Sequence, residues 1–192
     1  MSLRVVTWNL KGSDNPDTRA IASHLRSEGA DVVALQEVQW HQARRIARAL
    51  RARNLLWGFK HWPVRTWPEG MAIIGVTVAA RGRTRALSHR WRLWSWRRRI
   101  FQVAEVQAEP PWTLVNVHLT PHGQIGMRAI ETASILGVVA ERSGPIVVAG
   151  DVNERPDGAV HRQFAAAGLR DGWAVRLPPP DAPSPPGDPE PG

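Results

Sequence analysis

Gly144-Pro145-Ile146-Val147-Val148-Ala149-Gly150-Asp151-Val152-Asn153 is the stretch on which the fold turns. Ser143-Gly144-Pro145 closes a helical segment, Ile146 to Ala149 has the length and apolar content of a buried strand, and two polar side chains follow at once. Three upstream stretches repeat the design. Leu3 to Trp8 is a β-rich run, apolar on both parities, that ends in Thr7-Trp8-Asn9. Asp31 to Gln36 is a short buried strand leading into Leu35-Gln36-Glu37-Val38, and Thr113 to Leu119 carries Asn116-Val117-His118-Leu119-Thr120-Pro121. Groups that accept, donate or ligate thus sit at the exits of apolar strands, where the strands hold them rigidly and the loops admit substrate. Taken singly, each has a structural reading as well. Asn9 suits a turn, Glu37 the first turn of the next helix, His118 a satisfied core position, and Asp151 with Asn153 an Asx turn.

Between these exits the periodicity alternates. Asn15-Pro16-Asp17 reads as N-cap, first-turn proline and first-turn acid of a helix running to about Glu28, with Gly29 as its stop. Ala43, Ile46, Ala47 and Leu50 follow helical spacing within Trp40 to Arg53, opposite Arg44, Arg48 and Arg51. Leu55 to Lys60, Met71 to Val78 and Arg99 to Gln107 read as strands, Gly123 to Arg142 as a helix, and Asp157 to Ala167 as a short helix stopped by Gly168. Strand–helix alternation, then hairpins, then strand–helix again predicts an α/β sandwich, with two sheets face to face and helices outside.

The 192 residues suit one domain, here residues 1–177, with a core of ordinary size. From Pro178 to Gly192 more than half the residues are proline, a composition that predicts a disordered or extended tail. No apolar run reaches the roughly 20 residues needed to cross a bilayer, and the first residues lack a signal-peptide pattern. Without cysteine there are no disulfides, zinc thiolates or thiol nucleophiles, which fits a cytoplasmic protein and leaves oxygen and imidazole as metal ligands.

The formal charge is +8, and between Glu69 and Glu105 the chain carries eight arginines and no acid. Such a strip suggests a polyanionic partner or, equally, a solvated strand face in an arginine-rich chain. Within it, His89 to Arg99 interleaves arginine with Trp91, Trp94 and Trp96. Arg97, Arg98 and Arg99 are candidate substrate-binding residues, with arginines following phosphates and tryptophans stacking on bases or lying at a lipid interface. The alternative is a two-sided hairpin whose tryptophans pack on the core.

The order Thr7-Trp8-Asn9, Leu35-Gln36-Glu37, Glu69-Gly70-Met71-Ala72-Ile73-Ile74, Val115-Asn116-Val117-His118-Leu119, Ala149-Gly150-Asp151-Val152-Asn153 is similar to that of the endonuclease/exonuclease/phosphatase family, which includes deoxyribonuclease I and abasic-site endonucleases. Gly168 to Trp173 continues the likeness. The resemblance implies a four-layer α/β/β/α sandwich and metal-dependent hydrolysis of phosphoesters with Mg²⁺ or Mn²⁺, hard ions that prefer oxygen ligands. By the same resemblance the metal site comprises Glu37, as direct ligand, with Asn9 and Asp151. Asn9 would orient the carboxylates or touch the phosphate. Asp151 would position or deprotonate the attacking water, and Asn153 would hold the phosphate. His118 would donate to a phosphate oxygen or act as general acid, and Glu69 either orients His118 or is a loop charge.

Family members continue into two further strands, one with an Arg-Ile-Asp-Tyr-like motif and one ending in Ser-Asp-His. Neither appears in these 192 residues. A lost acid or base removes about 10²–10⁴-fold in rate, so the expectation is a fold lacking its last strands and a chain that is inactive or impaired. A shifted reading frame, a fragment or a degenerate protein would each give such a tail. Nucleic acid is the first substrate expected, from the basic strip. Phosphoinositides or small phosphoesters are the alternative, and a non-catalytic nucleic-acid-binding remnant is a third reading.

Overall fold

The computed structural model describes residues 2–61, 68–87, 99–121 and 124–172. Arg97, Arg98, the tryptophans at 91, 94 and 96, Trp173 and the proline-rich segment from Pro178 lie outside the described residues.

Two four-stranded mixed sheets form the centre. The first has β1 (Val5–Asn9), β2 (Val32–Gln39), β3 (Asn54–His61) and β4 (Glu69–Gly75) in the order β1-β2-β4-β3. In it β1 runs parallel to β2, and β4 antiparallel to both neighbours. The second has β5 (Ala80–Ala86), β6 (Ile100–Val106), β7 (Trp112–His118) and β8 (Ile146–Asp151) in chain order, antiparallel up to β7 and parallel between β7 and β8. Helices α1 (Thr18–Ser27) and α2 (Trp40–Ala49) cover the first sheet; α3 (Ile125–Ala140) and α4 (Ala159–Ala166) cover the second.

Three apolar layers make this a four-layer α/β/β/α sandwich. Ile21, Leu25, Ile46 and Leu50 pack on Val33, Leu35 and Ile74 outside the first sheet. Val32, Ala34 and Ile73 meet Ala104, Val106 and Leu114 between the sheets. Val115 and Val117 meet Ile135, Val138 and Val160 outside the second. The alternate residues of β2 and β7 therefore feed different layers, so both faces of each strand are covered. No helix among the described residues is long and apolar enough to cross a membrane.

Three local expectations change. Asp17, not Asn15, caps α1, because its carboxylate accepts from the amides of Arg19 and Ala20. Helix α2 stops at Ala49, since Arg51 turns to φ +54° and Asn54 already starts β3. Strand β5, with the sequence Ala-Arg-Gly-Arg-Thr-Arg-Ala, gives the solvated strand face offered for the arginine strip, at a place where no strand had been delimited. It is an edge strand, and a charged edge resists further pairing without needing an apolar pattern.

Candidate active site

Strands β1, β2 and β3 end, and β4 begins, at one end of the first sheet. There two bulges aim charged side chains. The β2–β4 ladder steps from Leu35–Ala72 to Val38–Gly70, one extra residue on β2, and Glu37 takes φ +50° in the gap. The β3–β4 ladder steps from Phe59–Gly70 to His61–Glu69, which makes Lys60 the extra residue of β3. A bulge re-aims a side chain that the regular pleat would send elsewhere. Both bulged residues reach His118 of the second sheet.

The second sheet contributes His118 and Asp151, which are register partners at the ends of β7 and β8. Gly150, just before Asp151, has φ +138°, and a Cβ there would come within 2.0 Å of the Val117 carbonyl, so the close β7–β8 approach requires glycine. Asn9 bridges the sheets, its amide nitrogen donating to Asp151 Oδ2 over 2.9 Å. Its oxygen accepts from the Lys11 amide, so both ends of the carboxamide are committed. The other Asp151 oxygen accepts from the Asn153 backbone at 2.9 Å, while the Asn153 side chain donates to the Leu119 carbonyl. Asn153 itself sits at φ +52°, a conformation asparagine tolerates. An ionised carboxylate offers about four lone-pair directions, so Asp151 keeps acceptor capacity for a further group.

His118 joins this cluster to the bulged residues. Its Nε2 lies 3.5 Å from Glu37 Oε1, and its Nδ1 lies 3.1 Å from Lys60 Nζ. Lys60 in turn is 3.7 Å from Glu69 Oε1. Lys60, Glu69 and His118 are all buried, whereas the Glu37 side chain remains 28% exposed. Burial pushes Lys60 down from 10.5 to about 8, with Arg99 adding to the shift and Glu69 and Glu37 opposing it. Burial likewise pushes the Glu69 carboxyl up, against the pull of Lys60.

Of the residues singled out from sequence, Asn9, Glu37, His118, Asp151 and Asn153 are thus linked around one end of the sandwich. Glu69 belongs to the same cluster, but Lys60 stands between it and His118. Arg99 is buried at the head of β6, close enough to Lys60 and Glu69 to act on their charges. Asn9, Asp151, Asn153 and Glu154 line a cleft of about 430 Å³ with Thr7 and Trp8. A larger cavity of about 850 Å³ lies among Trp40, His41, Arg45, Trp57 and Pro68, whose described lining has no carboxylate.

Beneath the cleft runs a buried polar seam that the motifs did not announce. The Gln36 amide nitrogen reaches Asn116 Oδ1 at 2.7 Å and Thr7 Oγ1 at 3.1 Å. Asn116 Nδ2 lies within 3.2 Å of the Leu35 and Ala72 carbonyls and of Gln102 Oε1. Fully satisfied, such a network fixes one spacing of the two sheets.

No group of three or more His, Asp or Glu side chains among the described residues is arranged to hold a metal. What the site offers is carboxylate oxygen, from a partly exposed Glu37 and a hydrogen-bonded Asp151. That suits Mg²⁺ or Mn²⁺, which bind through one or two carboxylates and keep much of their water.

Residues 6–192 match the Endonuclease/Exonuclease/phosphatase family. Among solved structures, an endonuclease/exonuclease/phosphatase from Beutenbergia cavernae superposes with a TM-score of 0.72 at 22% identity, covering 89% of this chain and 55% of that one. Mannosyl-6-phosphatase from Bacteroides thetaiotaomicron gives 0.70 at 17%, covering 87% and 71%. D. rerio TDP2 complexed with single strand DNA product gives 0.65 at 20%, covering 86% and 64%. At such identities the likeness is one of fold, and this chain spans little more than half of the Beutenbergia structure. No curated protein matches the chain.

Proposed function

Since the chain belongs to the endonuclease/exonuclease/phosphatase family, we propose that the cluster at its strand ends is a phosphoesterase site whose substrate is a phosphodiester of nucleic acid. The observation that carries this reading is the linked set Asn9–Asp151–Asn153, which lines one open cleft, with His118 beside Asp151 in the β7–β8 register and Glu37 3.5 Å from His118. Hydrolysis needs a water placed in line with the ester oxygen that leaves, and donors for the non-bridging oxygens. Asp151 is held by Asn9 and by the Asn153 amide with lone pairs to spare, so it can hold that water and accept its proton as the water oxygen bonds to phosphorus and the ester P–O bond breaks, the departing alkoxide taking a proton from solvent. Asn153 and His118 flank the position of the phosphoryl group. A bound Mg²⁺ or Mn²⁺ at Glu37 would supply charge neutralisation for the phosphoryl oxygens.

The preference for nucleic acid rests on the strand Ala80–Ala86, which shows Arg81 and Arg83 to solvent, and on the TDP2 likeness. A second reading, a small phosphoester, draws on the modest cleft volume and on the mannosyl-6-phosphatase likeness. The test compares cleavage of a single-stranded oligonucleotide with phosphate release from hexose 6-phosphates, each with Mg²⁺ or Mn²⁺ and after chelation. Metal-dependent oligonucleotide cleavage that Asp151→Asn removes is the expected result. Phosphate release alone would favour the second reading, and salt-sensitive binding without turnover would identify a non-catalytic module.

A further inference from the structure

Lys60 carries no motif, yet it is 3% exposed and stands at the junction of the site. Its ammonium lies 3.1 Å from His118 Nδ1 and 3.7 Å from Glu69 Oε1, on the one residue that bulges from β3. A protonated amine has three donor hydrogens and no lone pair. The nitrogen that faces it must therefore present its own lone pair, and the ring hydrogen must sit on the other nitrogen. That other nitrogen, Nε2, is the one 3.5 Å from the Glu37 carboxylate. A carboxylate bonded directly to Nδ1 would produce the reverse, with the hydrogen on Nδ1 and a lone pair turned toward the Glu37 carboxylate.

We propose that Lys60 is a positioning residue that fixes His118 as its Nε2-protonated tautomer, so that the imidazole offers an N–H to a non-bridging oxygen of the bound phosphoester. The acceptor named here rests on the phosphoesterase reading; the tautomer does not. Glu69 then acts at one remove, anchoring the amine that orients the ring, and the bulge in β3 is the feature that inserts the amine between carboxylate and imidazole. In this arrangement His118 contributes a hydrogen bond and keeps its proton through the reaction, while Asp151 handles the proton of the water. Exchanging Lys60 for a residue without a donor would let Nδ1 take the hydrogen and turn the Nε2 lone pair toward the anionic phosphoryl oxygens.

The test is nitrogen-15 NMR of histidine-labelled full-length chain at neutral pH, with His118 assigned by its loss in His118→Gln. Wild type and Lys60→Arg are expected to show a bare Nδ1 and a protonated Nε2. In Lys60→Met the population should move toward Nδ1–H by about tenfold, the worth of one hydrogen bond. Because Lys60→Met leaves Glu69 buried without its cation, Lys60→Met/Glu69→Gln is measured beside it and should show the same loss of preference. A protonated Nδ1 in the wild type, or one tautomer unchanged across every folded variant, overturns the proposal. Hydrolysis is assayed on the same samples. A Lys60-dependent tautomer in a chain that cleaves no phosphoester would leave this inference standing and remove the functional one. Asp151-dependent cleavage with a tautomer indifferent to Lys60 would do the opposite.

Discussion

The side-chain amide of Gln36, in the first sheet, lies 2.7 Å from the side-chain oxygen of Asn116, in the second. Glu37 follows Gln36 directly, and His118 lies two residues beyond Asn116. A buried polar contact between the sheets thus sits immediately below the 3.5 Å approach of His118 to Glu37. Removing it is predicted to affect both the fold and the site. Asn116→Leu leaves Gln102 Oε1 without its donor and takes one partner each from the Gln36 amide and the Leu35 and Ala72 carbonyls, and a buried group left unsatisfied costs about 1–3 kcal/mol. Urea unfolding should show a fall within or above that range, and a variant as stable as wild type would mean that the seam only fills space.

Asp151 and Asn9 separate by the size of their effects. Asp151→Asn keeps an oxygen for the Asn153 amide but cannot take a proton from water, so single-turnover cleavage should fall about 10²–10⁴-fold. Asn9→Ala removes only the group that orients the carboxylate, and a loss of about 10–100-fold is expected, as for other supporting residues around a metal site. Equal losses in the two variants would mean that Asn9 touches the phosphate itself.

The Lys60–Glu69 pair predicts an unusual pH profile for stability. Lys60 titrates near 8 in the folded protein and at 10.5 ordinarily. Between these values the unfolded chain binds a proton that the folded one has released, so stability rises with pH there. Glu69 works the other way. Its carboxyl is raised above 4.5, so above that pH the folded protein keeps a proton the unfolded chain has lost, and stability falls until the folded carboxyl ionises. Lys60→Met should abolish the alkaline rise and deepen the acid-side fall, because the cation that opposes the Glu69 shift is gone. Melting temperatures across the pH range check both signs.

If β5 follows a nucleic-acid backbone, binding of a single-stranded oligonucleotide must weaken as salt rises. Each phosphate contact made by Arg81, Arg83 or Arg85 contributes about 0.7 to the slope of log K against log salt. Replacing the three by serine should flatten the slope in proportion, measured by fluorescence anisotropy. An unchanged slope would make β5 merely a charged, protected edge.

The sequence was legible where chemistry coincides with strand ends. Asn9, Glu37, His118, Asp151 and Asn153 could be picked out because each follows an apolar run, and the structure links them around one end of the sandwich. Lys60 could not, because its place depends on a one-residue slip between β3 and β4, and a bulge is a property of two strands in register. The same holds for the aim of Glu37, read as a helix-start charge or a ligand but placed by a bulge in β2. Gln36, Asn116 and Gln102 stayed silent for a different reason. Each looks like a polar residue in a strand, and only the facing sheet makes it a buried partner. Strand β5 was legible only as an undelimited solvated strand face, because an edge strand stabilised by charge carries no apolar alternation.

Glu37 and Asp151 are proposed to serve one cation and one ester. Mn²⁺ binding followed by electron paramagnetic resonance, on the wild-type chain and on Glu37→Gln, tests this without depending on turnover. The prediction is one bound ion in the wild type and an affinity lower by roughly tenfold or more in the variant, with a smaller loss in Asn9→Ala. Equal Mn²⁺ binding by wild type and Glu37→Gln would contradict it.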